Sequence, residues 1–391
     1  MSKVLVVNCG SSSLKCALFS LEEGECIARG AVARIDTPDA LLTWDAGGRR
    51  EEYPVVVSNH SAAFACLVDL LPGSNGDVSA IGHRVVHGGE RFDAATPLDA
   101  DVEDAIAELS PLAPMHNPLC LEGIRAARGS FTEAAQYAVF DTAFHQTLPE
   151  AAFRYAVPQD WYEADGVRRY GFHGTSHRFV SRRVAELDPE RAGRLIVCHL
   201  GAGCSTSAIR DGLSVDTSMG MTPLEGLVMA TRSGDLDPGV ISYLARRSGL
   251  RAEEIETALN ERSGLLGLSS ESGDIRVLEQ RAAEGHPRAE LALQVFAHRA
   301  KKYIGAHHAT LGGATAIAFT GGAGENSPSL RKRIMEGLAG LGMVMDDDAN
   351  DRARGCEAFI SSSSSRIALL VVPTDEERAI ADEVREIHPS S

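Results

Sequence analysis

The stretch Val4–Phe19, VLVVNCGSSSLKCALF, decides the fold. An apolar run ends at Asn8, a turn of Gly and Ser follows, and a second apolar run begins after Lys15. Short apolar runs bounded by turn residues read as strands. Further along, Leu195–Ile209, LIVCHLGAGCSTSAI, repeats the plan. Aligned without a gap, Asn8 falls on His199, Gly10 on Gly201 and Ala17 on Ala208. We read one strand–turn–strand hairpin used twice, once in each of two domains. Working outward, β-branched runs alternate with helical patterns, which predicts α/β architecture. The first half closes on AQYAVFDTAFHQTLP (Ala135–Pro149), a strand ending in Asp141. Pro149 and Pro158 bracket the crossing to the second half. The strand TAIAFT leads a third glycine turn, GGAGENSPSLRKRI (Gly321–Ile334). A last strand, Ile367–Val372, precedes a helix from Pro373. Thr374 and Glu377 are spaced as a capping box, and Ile380, Val384 and Ile387 as an apolar stripe. The serine run Ser361–Ser365 reads as a flexible surface loop.

A length of 391 residues suits two domains. Hydrophobic residues are 44% and charged residues 24%, ordinary values for a water-soluble fold. No apolar run spans a membrane, and the N-terminus lacks the apolar region and cleavage site of a secretory signal. The expectation is a cytoplasmic protein with no membrane partner. Eight cysteines without a C-x-x-C pair read as reduced thiols. The net charge of −16 argues against a nucleic-acid partner, which needs a basic face. An anionic ligand would have to be met by locally focused cations.

Three glycine turns after strands suggest phosphate cradles, since glycine lets backbone N–H groups approach phosphate oxygens. None matches the Walker pattern or the dinucleotide G-x-G-x-x-G, so a different nucleotide architecture is indicated. Lys15 reads equally as a phosphate cation or an exposed strand lysine. Asn8 reads as a holder of a metal or its waters, or as an Asx turn. Arg84, inside IGHRVVHGG, needs an anion: a bound carboxylate, or an internal acid. His83 and His87 share this strand, whose geometry does not bring them together for zinc. Asp141, at a strand end, reads as catalytic or as a cap. In RRYGFHGTSHRFVSRRVAEL (Arg168–Leu187), Thr175 or Ser176 can cap a helix with the stripe Val180, Val184, Leu187. His173 then stands at the helix's positive end, suited to an anion, while His177 reads as structural. TSMGMTPLEGLVMATRSGDLDPG (Thr217–Gly239) reads as an ordered functional loop. Its Arg232 is a phosphate clamp or a surface arginine paired with Asp235 or Asp237.

Together these segments resemble the acetate kinase family. The matching pieces are NCGSSSLK (Asn8–Lys15), HRVVHGG (His83–Gly89), PLAPMHNP (Pro111–Pro118) and FDTAFH (Phe140–His145), then YGFHGTSH (Tyr170–His177), MTPLEGLVMATRSGDLDPG (Met221–Gly239), FTGGAGEN (Phe319–Asn326) and VVPTDEE (Val371–Glu377). They run in the family's order from end to end. The resemblance implies the duplicated sugar kinase/Hsp70/actin-like fold with a central cleft, residues 1–148 plus 375–391 forming one domain. Residues 149–374 form the second, which carries most of the nucleotide site. It implies ATP or ADP as substrate, magnesium (or manganese) as cofactor and a homodimer. By the same resemblance Asn8 and Glu376 match metal positions and Arg84 the acetate carboxylate position. Val86, Met115, Phe172 and Pro223 match the methyl pocket. Lys15, His199, Leu200, Gly201, Ala202, Gly203, Asp274, Ile275, Arg276, Gly322, Ala323, Gly324, Glu325 and Asn326 match nucleotide positions. Asp141 matches the active-site aspartate, and His173 and Arg232 match transition-state stabilisers. Two departures stand out. Ala202 replaces the asparagine of the usual HLGNG. Asp375 replaces the asparagine of the usual TNEE and puts an extra carboxylate beside Glu376.

The implied reaction is direct in-line transfer between ATP and acetate, giving ADP and acetyl phosphate. Phosphoryl transfer leaves a protein mainly positioning and charge stabilisation to perform. Acetate needs no deprotonation at neutral pH, so Asp141 would orient Arg84 or the magnesium shell. Two alternatives remain: a propionate or butyrate kinase on the same fold, and a non-enzymatic actin- or Hsp70-like nucleotide switch.

Overall fold

The computed structural model describes residues 2–10, 12–73, 77–114 and 116–389. The chain divides into two compact units, residues 1–146 with 375–391, and residues 147–374. Each is built around one mixed sheet.

In the first unit the strands are β1 (Lys3–Cys9), β2 (Ser13–Ser20), β3 (Cys26–Ala33), β4 (Leu41–Ala46), β5 (Arg49–Pro54), β6 (Val78–Val85), β7 (Thr96–Pro97) and β8 (Ala135–Phe140). Their order across the sheet is β5-β4-β3-β2-β1-β6-β8-β7. The central β1 is apolar on both faces because both are covered. Leu5, Val7 and Cys9 join the core that includes Phe64 of the helix His60–Val68. Val4 and Val6 pack with Ile380 and Val384 of the helix Glu376–Ile387. That helix lies so close that a Cβ on Gly82 of β6 would come within 2.8 Å of Ile380 and 2.9 Å of Val384. The edge strand β5, rich in Arg and Glu, is exposed, which discourages pairing with another sheet.

In the second unit the strands are β9 (Arg194–Leu200), β10 (Cys204–Arg210), β11 (Leu213–Thr217), β12 (Ala316–Thr320), β13 (Ala358–Phe359) and β14 (Ala368–Val371). The order is β11-β10-β9-β12-β14-β13. Here β9 is antiparallel to β10 and parallel to β12, which is parallel to β14. In the first unit β1 is antiparallel to β2 and parallel to β6, which is parallel to β8. The runs β3-β2-β1-β6-β8 and β11-β10-β9-β12-β14 therefore share order and direction. The duplicated fold expected from the two hairpins is present.

The gapless alignment fails in one detail. Cys9 pairs with Leu14 and Leu200 with Cys204, so the first pair is one residue further apart in sequence than the second. Lys15 therefore corresponds to Ser205, and Ala17 to Ser207 rather than Ala208.

Other local expectations shift too. The C-terminal helix is capped by Asp375, whose Oδ1 accepts the Arg378 N–H at 3.0 Å, and not by Thr374. Ile380 and Val384 are fully buried, but Ile387 is exposed. The helix Gly174–Leu187 begins directly after His173, so Thr175 and Ser176 lie inside its first turn. The third glycine segment is itself helical, Gly321–Asn326. The serine run is held in place: Ser362 N–H donates to Val344 O at 2.9 Å, and Ser365 Oγ to Ile367 O at 2.7 Å. All eight cysteines are free. Among the described residues no helix is long and apolar enough to cross a membrane.

Candidate active site

In the first unit, parallel strands bring their C-terminal ends together, the usual place for function in α/β sheets. Asn8 lies at the end of β1, Arg84 near the end of β6, and Asp141 just past β8. Glu376 opens the helix that covers β1 and β6. Arg84 Nη2 donates to Asp141 Oδ2 at 2.7 Å, and Nη1 donates to Asn8 Oδ1 at 3.3 Å. Arg84 thus has the internal acid of one reading, and its Nε is buried with no hydrogen-bond acceptor among the described residues. Burial alone would lower its pKa, but Asp141 and Glu376 outweigh this and raise it. Asp141 is buried, which supports an ion-pair role over a turn aspartate.

Burial raises the pKa of Glu376, with Asp141 and Glu377 adding to the rise against the pull of Arg84. Lys15 is exposed and lies 3.8 Å from Glu377. Asp375 does not add a carboxylate to this group. One oxygen caps the helix, and the other bonds Arg29. Val86 is buried just beyond β6. Met115 lies outside the described residues. His83, on the same strand as Arg84, bonds Gln136 at 2.9 Å, and burial pushes its imidazole down to about 4.

In the second unit, His173 is the N-cap of its helix in left-handed backbone, φ +57° and ψ +26°. A non-glycine residue there costs about 1–3 kcal/mol, strain that collects at functional sites. His173 faces the hairpin loop. A Cβ on Gly203 would lie 3.2 Å from His173 Nε2 and 3.5 Å from Arg232 Nη1, so both nitrogens converge above this glycine. Arg232 donates to Pro223 O at 3.1 Å. Among the described residues no carboxylate pairs with Arg232, and burial lowers its pKa. The surface-pair reading fails because Asp235 bonds Arg299 at 2.7 Å and Tyr303 at 3.0 Å, while Asp237 accepts the Gly239 N–H at 2.8 Å. The loop of residues 218–238 is held from its other end by Arg169, which donates to Ser218 O, Met219 O and Glu225. Phe172 is buried beside His173 in sequence.

A pocket of about 580 Å³ opens in the same unit. It gathers Gly201 and Ala202 from the hairpin loop, Asp274, Ile275 and Arg276 from a helix start, and Gly322, Ala323 and Asn326 from after β12. Sequence reasoning missed Ala230, Gly273, Glu279 and Ser327, which also line it. Glu279 had a usable signal, lying one helical turn beyond Ile275. His199, Leu200, Gly203, Gly324 and Glu325 do not line it. Leu200 and Gly324 are buried. Glu325 turns inward, its Oε1 accepting the N–H of Gly321 at 2.8 Å and of Thr374 at 3.1 Å. Gly321 is required there: its φ is +76°, and a Cβ would come within 2.9 Å of the Leu200 backbone.

The metal expectation can be tested on the donors. Asn8 and Glu376 offer oxygen atoms, the ligand type of magnesium, which takes one or two carboxylates and keeps several waters. The half-buried Glu376 carboxyl, whose pKa is raised by desolvation first and by Asp141 and Glu377 next, would be relieved by a cation. The residues fit.

Against known proteins, residues 3–382 match the family model described as the acetokinase family. An acetate kinase of Natranaerobius thermophilus is 47% identical, over 98% of both chains. The crystal structure of Porphyromonas gingivalis acetate kinase is 41% identical, with TM-score 0.92 and full coverage of both chains. A propionate kinase structure from Francisella tularensis is 40% identical with TM-score 0.93, covering 98% of this chain and 99% of its own. With a family model matched over nearly the whole length and relatives this similar from end to end, the chain belongs to the acetokinase family.

Proposed function

We propose that the chain is a kinase that moves a phosphoryl group reversibly between ATP and acetate, by in-line attack of an acetate oxygen on the γ-phosphorus. The observation that carries this reading is Arg84, whose Nε–H is buried without an acceptor while Asp141 and Asn8 hold the rest of the guanidinium. An unfilled buried donor on a cation is suited to a carboxylate. A nucleotide switch has no need of a second anion site. Asp141 orients Arg84 and acts as no base, because acetate is already ionised. ATP occupies the pocket of the second unit, with phosphates toward the hairpin loop. There His173 and Arg232 contact the equatorial oxygens of the transferring group, where charge redistributes in the transition state. Magnesium, held by Asn8 and Glu376 directly or through water, would neutralise charge on the phosphate oxygens.

The test is a panel of short carboxylates with ATP and magnesium, trapping acyl phosphate with hydroxylamine. Acetate-dependent trapping is expected. ATP hydrolysis indifferent to acetate, with nothing trapped, would leave the switch reading in its place.

Propionate is the second reading, favoured by the Francisella tularensis relative. By the family resemblance Val86 matches a methyl-pocket position. We expect acetate to be preferred by roughly 10–200-fold in kcat/KM, the worth of one methylene, and Val86→Ala to narrow the gap. Equal kcat/KM for both acids in the wild type would overturn the acetate assignment. The working form is taken as a cytoplasmic homodimer. Exposed Leu236, Ile241 and Tyr243 on the second unit support a protein interface there.

A further inference from the structure

We propose that Ser205 and His177 are positioning residues that keep the proton of His173 on Nε2. The inference rests on the transfer reading above. His173 and His177 are four residues apart, so they share one face of the helix start. Both rings reach one hydroxyl: Ser205 Oγ lies 2.9 Å from His173 Nδ1 and 2.7 Å from His177 Nε2. Ser205 and His177 are fully buried. Ser205 pairs across the hairpin with His199, and directly paired residues project to the same face. His199 is fixed on that face by Ser176 Oγ at 2.8 Å, and its ring stacks on His173 at a centroid distance of 4.4 Å.

A hydroxyl carries one proton, so Ser205 can donate to only one of the two nitrogens and must accept from the other. In one arrangement His177 Nε2–H donates to Ser205, and Ser205 donates to His173 Nδ1. The neutral His173 ring then carries its proton on Nε2, the nitrogen that faces Gly203 beside Arg232. In the reverse arrangement Nδ1 holds the proton and Nε2 turns a lone pair toward anionic phosphoryl oxygens. Only the first makes His173 a donor to the transferring group while the ring stays neutral. The partner on one imidazole nitrogen sets the role of the other. His177, read from sequence as structural, thereby acts on the reaction through two hydrogen bonds.

The test follows the ring nitrogens by NMR in full-length protein labelled with ¹⁵N-histidine, the His173 signals being identified by their loss in His173→Gln. The wild type should show the Nε2–H tautomer. Ser205→Ala should give a tautomer mixture, with kcat lower by roughly 10–100-fold, as for outer partners of a functional histidine, and both KM values within about twofold. Ser205→Thr, which keeps a hydroxyl, should restore tautomer and rate. His177→Leu tests the chain from its other end, should Ser205→Ala fail to fold. A wild-type ring protonated on Nδ1 or on both nitrogens overturns the proposal, as do unchanged ring signals in Ser205→Ala or His177→Leu. Hydroxylamine trapping with the wild type tests the transfer reading by itself, since acyl phosphate forms or fails to form whatever the tautomer.

Discussion

The two hairpins occupy the same place in two matching sheets and carry opposite chemistry. At the end of the first, Asn8 pairs with Lys15, beneath a helix that starts with Glu376 and Glu377. At the end of the second, His199 pairs with Ser205, beneath a helix that starts after His173. One end is a carboxylate and carboxamide cluster around Arg84, suited to a hard cation and a small acid. The other is a set of imidazole, hydroxyl and guanidinium groups, suited to an anion. Loop length adds to the difference. The shorter loop of residues 201–203 places Gly203 against His173 and Arg232, and a side chain there would fill the space the two nitrogens share. A duplicated scaffold thus fixes where chemistry can occur, and the residues at equivalent rungs decide which chemistry.

The sharpest way to break this comparison is kinetic. If the second hairpin serves the transition state, Arg232→Ala and His173→Ala should each lower kcat by roughly 10²–10³ and leave both KM values nearly unchanged. If the first serves the bound acid, Arg84→Ala should chiefly raise the KM for acetate. Steady-state kinetics with both substrates varied gives the answer. Arg84→Ala weakening ATP while sparing acetate would reverse the assignment.

A smaller effect compares two glycines, one per sheet. Gly321→Ala puts a Cβ against backbone and forces a left-handed alanine, whereas the close contacts of Gly82→Ala are with the methyl groups of Ile380 and Val384. Gly321→Ala should cost about 2–3 kcal/mol and Gly82→Ala about 1–2 kcal/mol, the range for backbone strain and mild overpacking. Chemical denaturation of both variants would measure this. An equal or reversed order would mean that the first unit is the more tightly packed.

Ala202 sharpens the comparison within the second hairpin. Ala202 lines the nucleotide-sized pocket, so we expect Ala202→Asn to be accommodated. We expect the KM for ATP to change by only a few-fold, about 1 kcal/mol or less, the worth of one hydrogen bond exchanged with water. A large rise in kcat would show instead that the turn lacks a needed donor.

The smallest effect is a stability term at the first hairpin. Folding raises the pKa of Glu376, so folding favours its neutral form. That stability is present below the unfolded pKa and is lost as pH rises through the folded one. Glu376→Gln in EDTA should therefore raise Tm by about 1–3 °C at pH 8, and the gain should vanish near pH 4. Differential scanning calorimetry at the two pH values checks it, and a lower Tm at pH 8 would contradict the sign.

The sequence by itself determined the α/β class, the doubled hairpin and the residue types available at each strand end. These follow from local pattern: apolar runs, glycine turns, and cations or acids where a strand stops. It required an anion for Arg84 and left Arg232 between a phosphate and a nearby aspartate, because a charge in an apolar or irregular setting needs a partner. Only the tertiary structure decided which partner. Arg84 meets Asp141 across neighbouring strands, Arg232 has no carboxylate partner among the described residues while Asp235 is held by Arg299 and Tyr303, and Asp375 caps a helix and bonds Arg29 rather than adding charge beside Glu376. The one-residue difference between the hairpin loops was also invisible. A gapless alignment preserves letters, whereas register is set by hydrogen bonds between strands, and it is register that placed Ser205 between two histidines.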